Sequence, residues 1–267
     1  MILRASAVRF DRLAERGRNE PLRIAVETEH GEEREVFLKP SARPEVGIEG
    51  MANELIAACL GGHLGLPVCE PVLVHLSQDW ISSVPDAPLR DVLHRSCPLA
   101  FGSTSAGSGW RSWTTEDQVL GDRRQAALQI FAFDSFCENR DRIRSNPNLL
   151  VKSDSFRIID HELCFKIRLL LFPRPEPWRT GYLEPHVDPG PNGHVFGSLL
   201  KGDRYLNVPS LREPWISLSD EVLAGYAALM PPEWGEAARA IDEALDHLKA
   251  IRDRIDECLL EVKRALT

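Results

Sequence analysis

Between residues 139 and 162 the chain runs NRDRIRSNPNLLVKSDSFRIIDHE. A polar loop holding Asp141, Asn146 and Asn148 gives way to an aliphatic run, a polar turn, a second aliphatic run and then Asp160. NLLV and FRIID on either side of KSDS predict a hairpin of two short strands. The preceding segment, DRRQAALQIFAFDSFCEN over 122–139, predicts a helix. Ala126, Ala127, Ile130, Phe131, Asp134 and Cys137 lie near one of its faces, and Asp122 is placed as its N-cap. A helix that empties into a polar loop, followed by a hairpin, can fold Asp160 back toward Asp141 across nineteen positions. A carboxylate directly after an aliphatic strand faces a cleft or finds a partner, because burying it alone is costly.

The remaining chain divides into strands first and helices later. LRIAVETEHGEEREVFLKP reads as two strands around a turn at EHGEE. Ile48 to Leu64 reads as a helix, with Met51, Leu55, Ala58, Cys59 and Gly62 recurring at three and four, and Gly65 with Pro67 ending it. PVLVHL is a further strand. STSAGSGW (103–110) reads as a flexible Gly/Ser loop. From 171 to 216 the Pro- and Gly-rich sequence predicts long loops with one short helix near 195–201. AARAIDEALDHLKAIRDRIDECLLEVKRAL predicts one long amphipathic helix, with Ile241, Leu245, Leu248, Ile255, Leu259 and Val262 as its stripe. The expected class is α+β with two lobes: residues 1–84 as a small sheet carrying one helix, residues 85–267 as a larger, mainly helical part.

Composition narrows the setting. A chain of 267 residues with 43% hydrophobic content can bury a substantial core, and its formal net charge of −8 argues against direct nucleic-acid binding or an anionic membrane surface. The six scattered cysteines have neither disulfide-framework nor zinc spacing, and reduced thiols are expected. The N-terminus lacks the apolar core of a signal peptide, and the longest apolar run, IRLLLF, is too short to span a membrane. A soluble, cytoplasmic protein is the expectation.

Asp141 and Asn146, five apart in a loop, followed by Asp160, are residue types suited to phosphoryl transfer. An amide and a carboxylate can share Mg2+ whose shell is completed by substrate phosphates, and a nearby carboxylate can orient a hydroxyl and take its proton. DRIRSN has the D-x-x-x-x-N spacing of a kinase catalytic loop. Upstream, EVFLKP ends a strand on Lys39, and MANELIAACL puts Glu54 on the next helix. These two could form a phosphate-holding pair, or they could be a strand-end lysine and an exposed helix charge. Asp and Asn are also common turn formers. His161 reads as a packed histidine supporting the loop. His186, Asp188 and His194, in a Pro/Gly loop without fixed spacing, read as polar decoration.

Taken together, FLKP, NELIAACLGGHLGLPV, FDSFCENRDRIRSNPNLLV and RIIDHELCF resemble the HipA-like kinases, particularly their single-chain kinase-domain members, over roughly residues 20–170. The D-R-x-x-x-N and I-D pair is also similar to phosphatidylinositol kinases. The resemblance implies a bilobal, protein-kinase-like fold that binds ATP and Mg2+ between its lobes. It implies Asp141 as catalytic base, Asn146 and Asp160 as metal ligands, Lys39 with Glu54 at the ATP phosphates, and Arg142 bracing the loop. Because Pro147 and Asn148 precede the strand, Asn148 is an alternative ligand to Asn146. Glu162 stands where a glycine is common, and no G-x-G-x-x-G is present; SARPEVGIEG after Lys39 is the nearest candidate to cover the phosphates. The expected function is a protein Ser/Thr kinase with an unidentified protein substrate. A nucleotide-binding pseudokinase and a small-molecule or lipid kinase are the alternatives. The resemblance further raises an autophosphorylated residue among Ser103, Thr104 and Ser105, and a toxin–antitoxin setting with an antitoxin partner.

Overall fold

The computed structural model describes residues 2–13, 21–43, 47–166 and 174–267. The centre of the SARPEVGIEG segment (44–46) and the apolar run IRLLLF (167–172) lie outside them.

Five strands form a closed barrel in the order β1-β2-β3-β5-β4: β1 Leu3–Leu13, β2 Leu22–Thr28, β3 Glu33–Lys39, β4 Pro71–His75 and β5 Leu99–Thr104. All neighbours are antiparallel except β1 and β4, which close the barrel in parallel. Leu22, Ile24, Val26, Val36, Leu38, Val72 and Val74 fill the interior. Gly31, at φ +76, makes the expected turn between β2 and β3. β1 was not foreseen. Two register shifts along its pairing with β2 interrupt the alternation by which a strand is recognised.

Helix α1 (Gly47–His63) packs between the barrel and the C-terminal helices, and this explains why it is apolar almost all round. Two more helices, α2 (Gln78–Ser83) and α3 (Ala87–Arg95), sit between β4 and β5, whereas the sequence reading expected the N-terminal sheet to carry only the helix over Ile48–Leu64. The barrel thus draws its last strand from beyond residue 84. Ser103 and Thr104, expected in a flexible loop, are instead ladder residues of β5, because that strand pairs with both β3 and β4.

The helical part follows. Strand β6 (Arg111–Ser112) joins the hairpin of β7 (Leu149–Lys152) and β8 (Ser155–Ile158), as the KSDS turn predicted. Helix α4 is Arg123–Phe136. Asp122 does not cap it by side chain: it is already helical (φ −64, ψ −21), and bonds from Arg123 N–H to Leu120 O and Arg124 N–H to Gly121 O occupy the first donors. α5 (Gly197–Leu200) lies in the Pro/Gly region, which also holds α6 (Arg212–Ile216) ahead of α7 (Asp220–Ala228).

The long C-terminal helix is two, α8 (Ala238–Asp253) and α9 (Ile255–Leu266). Arg254 leaves helical geometry (φ −120, ψ 25), and its guanidinium lies over the Trp178 ring, 5.2 Å from the centroid. Each half keeps a buried stripe, as the periodicity required. All six cysteines are free. No helix among the described residues is long and apolar enough to cross a membrane.

Candidate active site

Lys39 is the last residue of β3, and its side chain is only 11% exposed. Its ammonium contacts three carboxylates: Glu54 of α1, Asp160 just after β8 at 2.6 Å, and Glu162 at 2.9 Å. Burial works against the charged lysine, but these carboxylates together hold its pKa well above the ordinary value. Burial also opposes the Glu54 anion, yet Lys39 and His161 bring its pKa below the usual carboxylate range. Glu162 goes the other way. Burial and the neighbouring Asp160 raise it, and Lys39 only partly offsets them. Three carboxylates against one ammonium leave an excess of two negative charges when all are ionised.

The fold delivers these groups by long-range ties. Ile158 N–H donates to Pro67 O and the Arg157 guanidinium to Val68 O, which clamps the end of β8 to the bend between α1 and β4. Asp160 then turns back at φ +64, a left-handed geometry costly for a non-glycine residue and typical of positions held by their surroundings for function. The Asn53 amide of α1 reaches Glu162 O at 3.4 Å, and His161 lies 3.4 Å from Glu54 with its ring edge-on to Phe133.

A second cluster forms on the polar loop. The amides of Asn146 and Asn148 both donate to Asp141 Oδ2, at 2.8 and 2.9 Å. The two asparagines that compete as ligands by sequence therefore converge on one carboxylate. Asn148, at φ +45, also accepts from Ile159 N–H at 3.1 Å. Arg142 is fully buried and donates to the carbonyls of Asn148 and Ile159, so it braces the loop against the segment that carries Asp160. Asp141 and Asp160 are linked through this Asn148–Ile159 bridge.

Glu54, Asp160 and Glu162 are the one group among the described residues whose ligating oxygens all lie within 4.8 Å of each other. Hard carboxylate oxygens suit a divalent cation such as Mg2+, and a charge of two would balance the excess. The sequence reading missed Glu162 as a donor, treating it as a departure from glycine. It also missed the buried carboxylate of Asp134, although an acid amid FAFDSF was a readable signal that a partner had to exist. His194 is not decoration: it is 2% exposed and bonded to Asp134 at 2.9 Å. His186 is buried as well, while Asp188 is exposed and takes the Gly190 N–H.

A strand-end lysine paired with a helix glutamate, set beside an Asp/Asn loop and a strand-end aspartate, is the constellation of a kinase-type phosphotransferase. The chain belongs to the HipA-like kinase family, whose family model matches residues 30–170. No curated protein matches. A crystal structure of the Helicobacter pylori proinflammatory kinase CtkA is similar at 12% identity, with 96% of this chain and 99% of that chain covered and a TM-score of 0.47.

Proposed function

We propose that the protein is a two-lobed, ATP- and Mg2+-dependent kinase that phosphorylates a protein Ser/Thr hydroxyl. The observation that carries this reading is the contact of Lys39 with both Glu54 and Asp160, across 15 and 121 positions of chain. In this reading the barrel and α1 hold the nucleotide. Lys39, kept charged and oriented by Glu54, binds the phosphates. Asp160 would hold the cation, with Glu162 and the side-chain oxygens of Asn146 and Asn148 as the nearby donors, and a bound Mg2+ would supply charge neutralisation at the phosphoryl group. Asp141 orients the acceptor hydroxyl and takes its proton. The two amides on its Oδ2 fix the carboxylate and leave Oδ1 for that task. Arg142 supports the loop from behind.

One observation favours a second reading, a nucleotide-binding module without turnover. Glu162, at a position where glycine is common, bonds Lys39 directly. Incubation of purified protein with labelled ATP and Mg2+ separates the two. The kinase reading expects transfer to the chain itself or to a protein in a lysate, abolished by Asp141→Ala. Thermal stabilisation by Mg-ATP that disappears in Asp160→Asn, with no transfer to any acceptor, leaves the second. Absence of both effects removes both readings.

A further inference from the structure

Asp134 is fully buried in α4, behind the loop, and touches none of the groups assigned to substrate or nucleotide. Each of its oxygens is nonetheless committed. Oδ1 accepts from the Asn139 amide at 2.7 Å. Oδ2 accepts from Arg142 Nε at 2.7 Å and His194 Nε2 at 2.9 Å. Both routes lead to the reacting loop. The Asn139 side-chain oxygen takes the Asp141 N–H at 3.3 Å, and Arg142 reaches the Asn148 and Ile159 carbonyls. The Arg142 carbonyl in turn accepts from Val195 N–H, next to His194.

His194 has its tautomer set by the backbone. Phe196 N–H donates to Nδ1 at 3.1 Å, so Nδ1 carries no proton and the ring hydrogen is on Nε2, aimed at Asp134. Burial, the main influence, lowers the pKa of His194 and keeps the ring neutral, though Asp134 pulls the other way. His194 lies outside residues 30–170, so the C-terminal third adds a part to this site that the family match does not cover.

We infer that Asp134 and His194 are a positioning pair that sets the place of Asp141, through Asn139, and of the Asp160 segment, through Arg142. The inference rests on the kinase reading for its catalytic consequence and on geometry alone for its structural one. His194→Phe tests it by keeping an aromatic ring between Phe131 and Phe196, which pack around the histidine at 5.2 and 5.9 Å, while removing both its bond to Asp134 and its acceptor for the Phe196 N–H. His194→Gln restores an N–H donor. Asp134→Asn is the stronger variant, and His194→Phe stands in for it should the buried Arg142 then prevent folding.

The expected result for His194→Phe is a fall in kcat of about a hundredfold, the scale of a displaced reacting group. KM for ATP should change much less than kcat, since Lys39 and Glu54 sit on other elements and only Asp160 of the nucleotide-side groups lies on the braced segment, and His194→Gln should recover most of the rate. Hydrogen exchange at the Asp141 amide should quicken in His194→Phe while barrel amides keep their protection. An unaltered kcat in His194→Phe overturns the inference and leaves the kinase reading intact. If the wild type transfers no phosphate, the kinase reading falls by itself, and exchange at the Asp141 amide decides the positioning claim: faster supports it, unchanged overturns it.

Discussion

Asn146 and Asn148 donate to the same oxygen of Asp141 but differ in what else they do. Asn146 is exposed, whereas Asn148 is half-buried, left-handed and bonded through its carbonyl to the Asp160 segment. Asn148→Gly removes the amide and relieves the backbone; Asn148→Ala removes the amide and keeps a Cβ at φ +45, at a cost of about 1–2 kcal/mol. Urea unfolding should rank Asn148→Ala below Asn148→Gly, with Asn146→Ala within about 0.5 kcal/mol of wild type. Equal stability of the two Asn148 variants would contradict the strain argument. Asp117 gives a pH-dependent case. The Arg111 fork, at 2.5 and 2.7 Å, and the Thr114 N–H at 2.8 Å hold its carboxyl at about 2, below the ordinary 3.8. A depressed folded-state pKa stabilises the fold above the ordinary value and loses that contribution as pH falls toward 2. Chemical denaturation of wild type and Asp117→Asn should therefore show a gap that is steady from neutral pH to about pH 5 and narrows from about pH 4 to pH 2. A gap independent of pH would refute the assignment.

At the level of elements, α1 and the β7–β8 hairpin were legible because each is decided locally: one by a three-four apolar recurrence, the other by a polar turn between aliphatic runs. β1 was hidden by its register shifts, and the break at Arg254 by the absence of any glycine or proline there. The close packing of α1 on the bend after it was equally invisible. A Cβ on Gly61 would lie 2.5 Å from Val68 Cγ1, so the glycine is required by approach rather than by backbone angle. Gly61→Ala should destabilise by about 1–3 kcal/mol, and Val68→Ala in the same chain should recover part of that loss. Additive effects in this double-mutant cycle would mean the two residues do not meet. Val68 also pairs with Ile158 and accepts from Arg157, so the same contact helps seat the segment that ends in Asp160.

Across the whole molecule, the C-terminal third holds the rest together. Trp234, 1% exposed, donates its indole N–H to Leu99 O of β5 at 2.9 Å and so fastens the region before α8 to the barrel. Trp234→Phe removes that bond at about 1 kcal/mol, whereas Trp234→Ala should cost about 3–5 kcal/mol by opening a cavity. Equilibrium unfolding in urea that finds the two variants alike would show that burial of the ring is not what matters. His247 Nε2 to Phe136 O at 2.8 Å, and the Phe136–Trp215 ring contact at 5.2 Å, tie α4 to the same C-terminal helices.

The amino-acid sequence by itself determined which local elements form and which chemical groups they carry: the strand ending in Lys39, the helix bearing Glu54, the polar loop and the strand that leads into Asp160. These follow from periodicity, turn residues and spacing, all of which act over a few neighbours. Only the tertiary structure decided that Glu162 joins Lys39 across 123 positions, that both asparagines turn to Asp141, and that His194 closes on Asp134 from 60 positions away. Such meetings depend on which apolar faces pack together, and hydrophobic burial is non-directional, so a linear pattern of apolar residues does not name its partners.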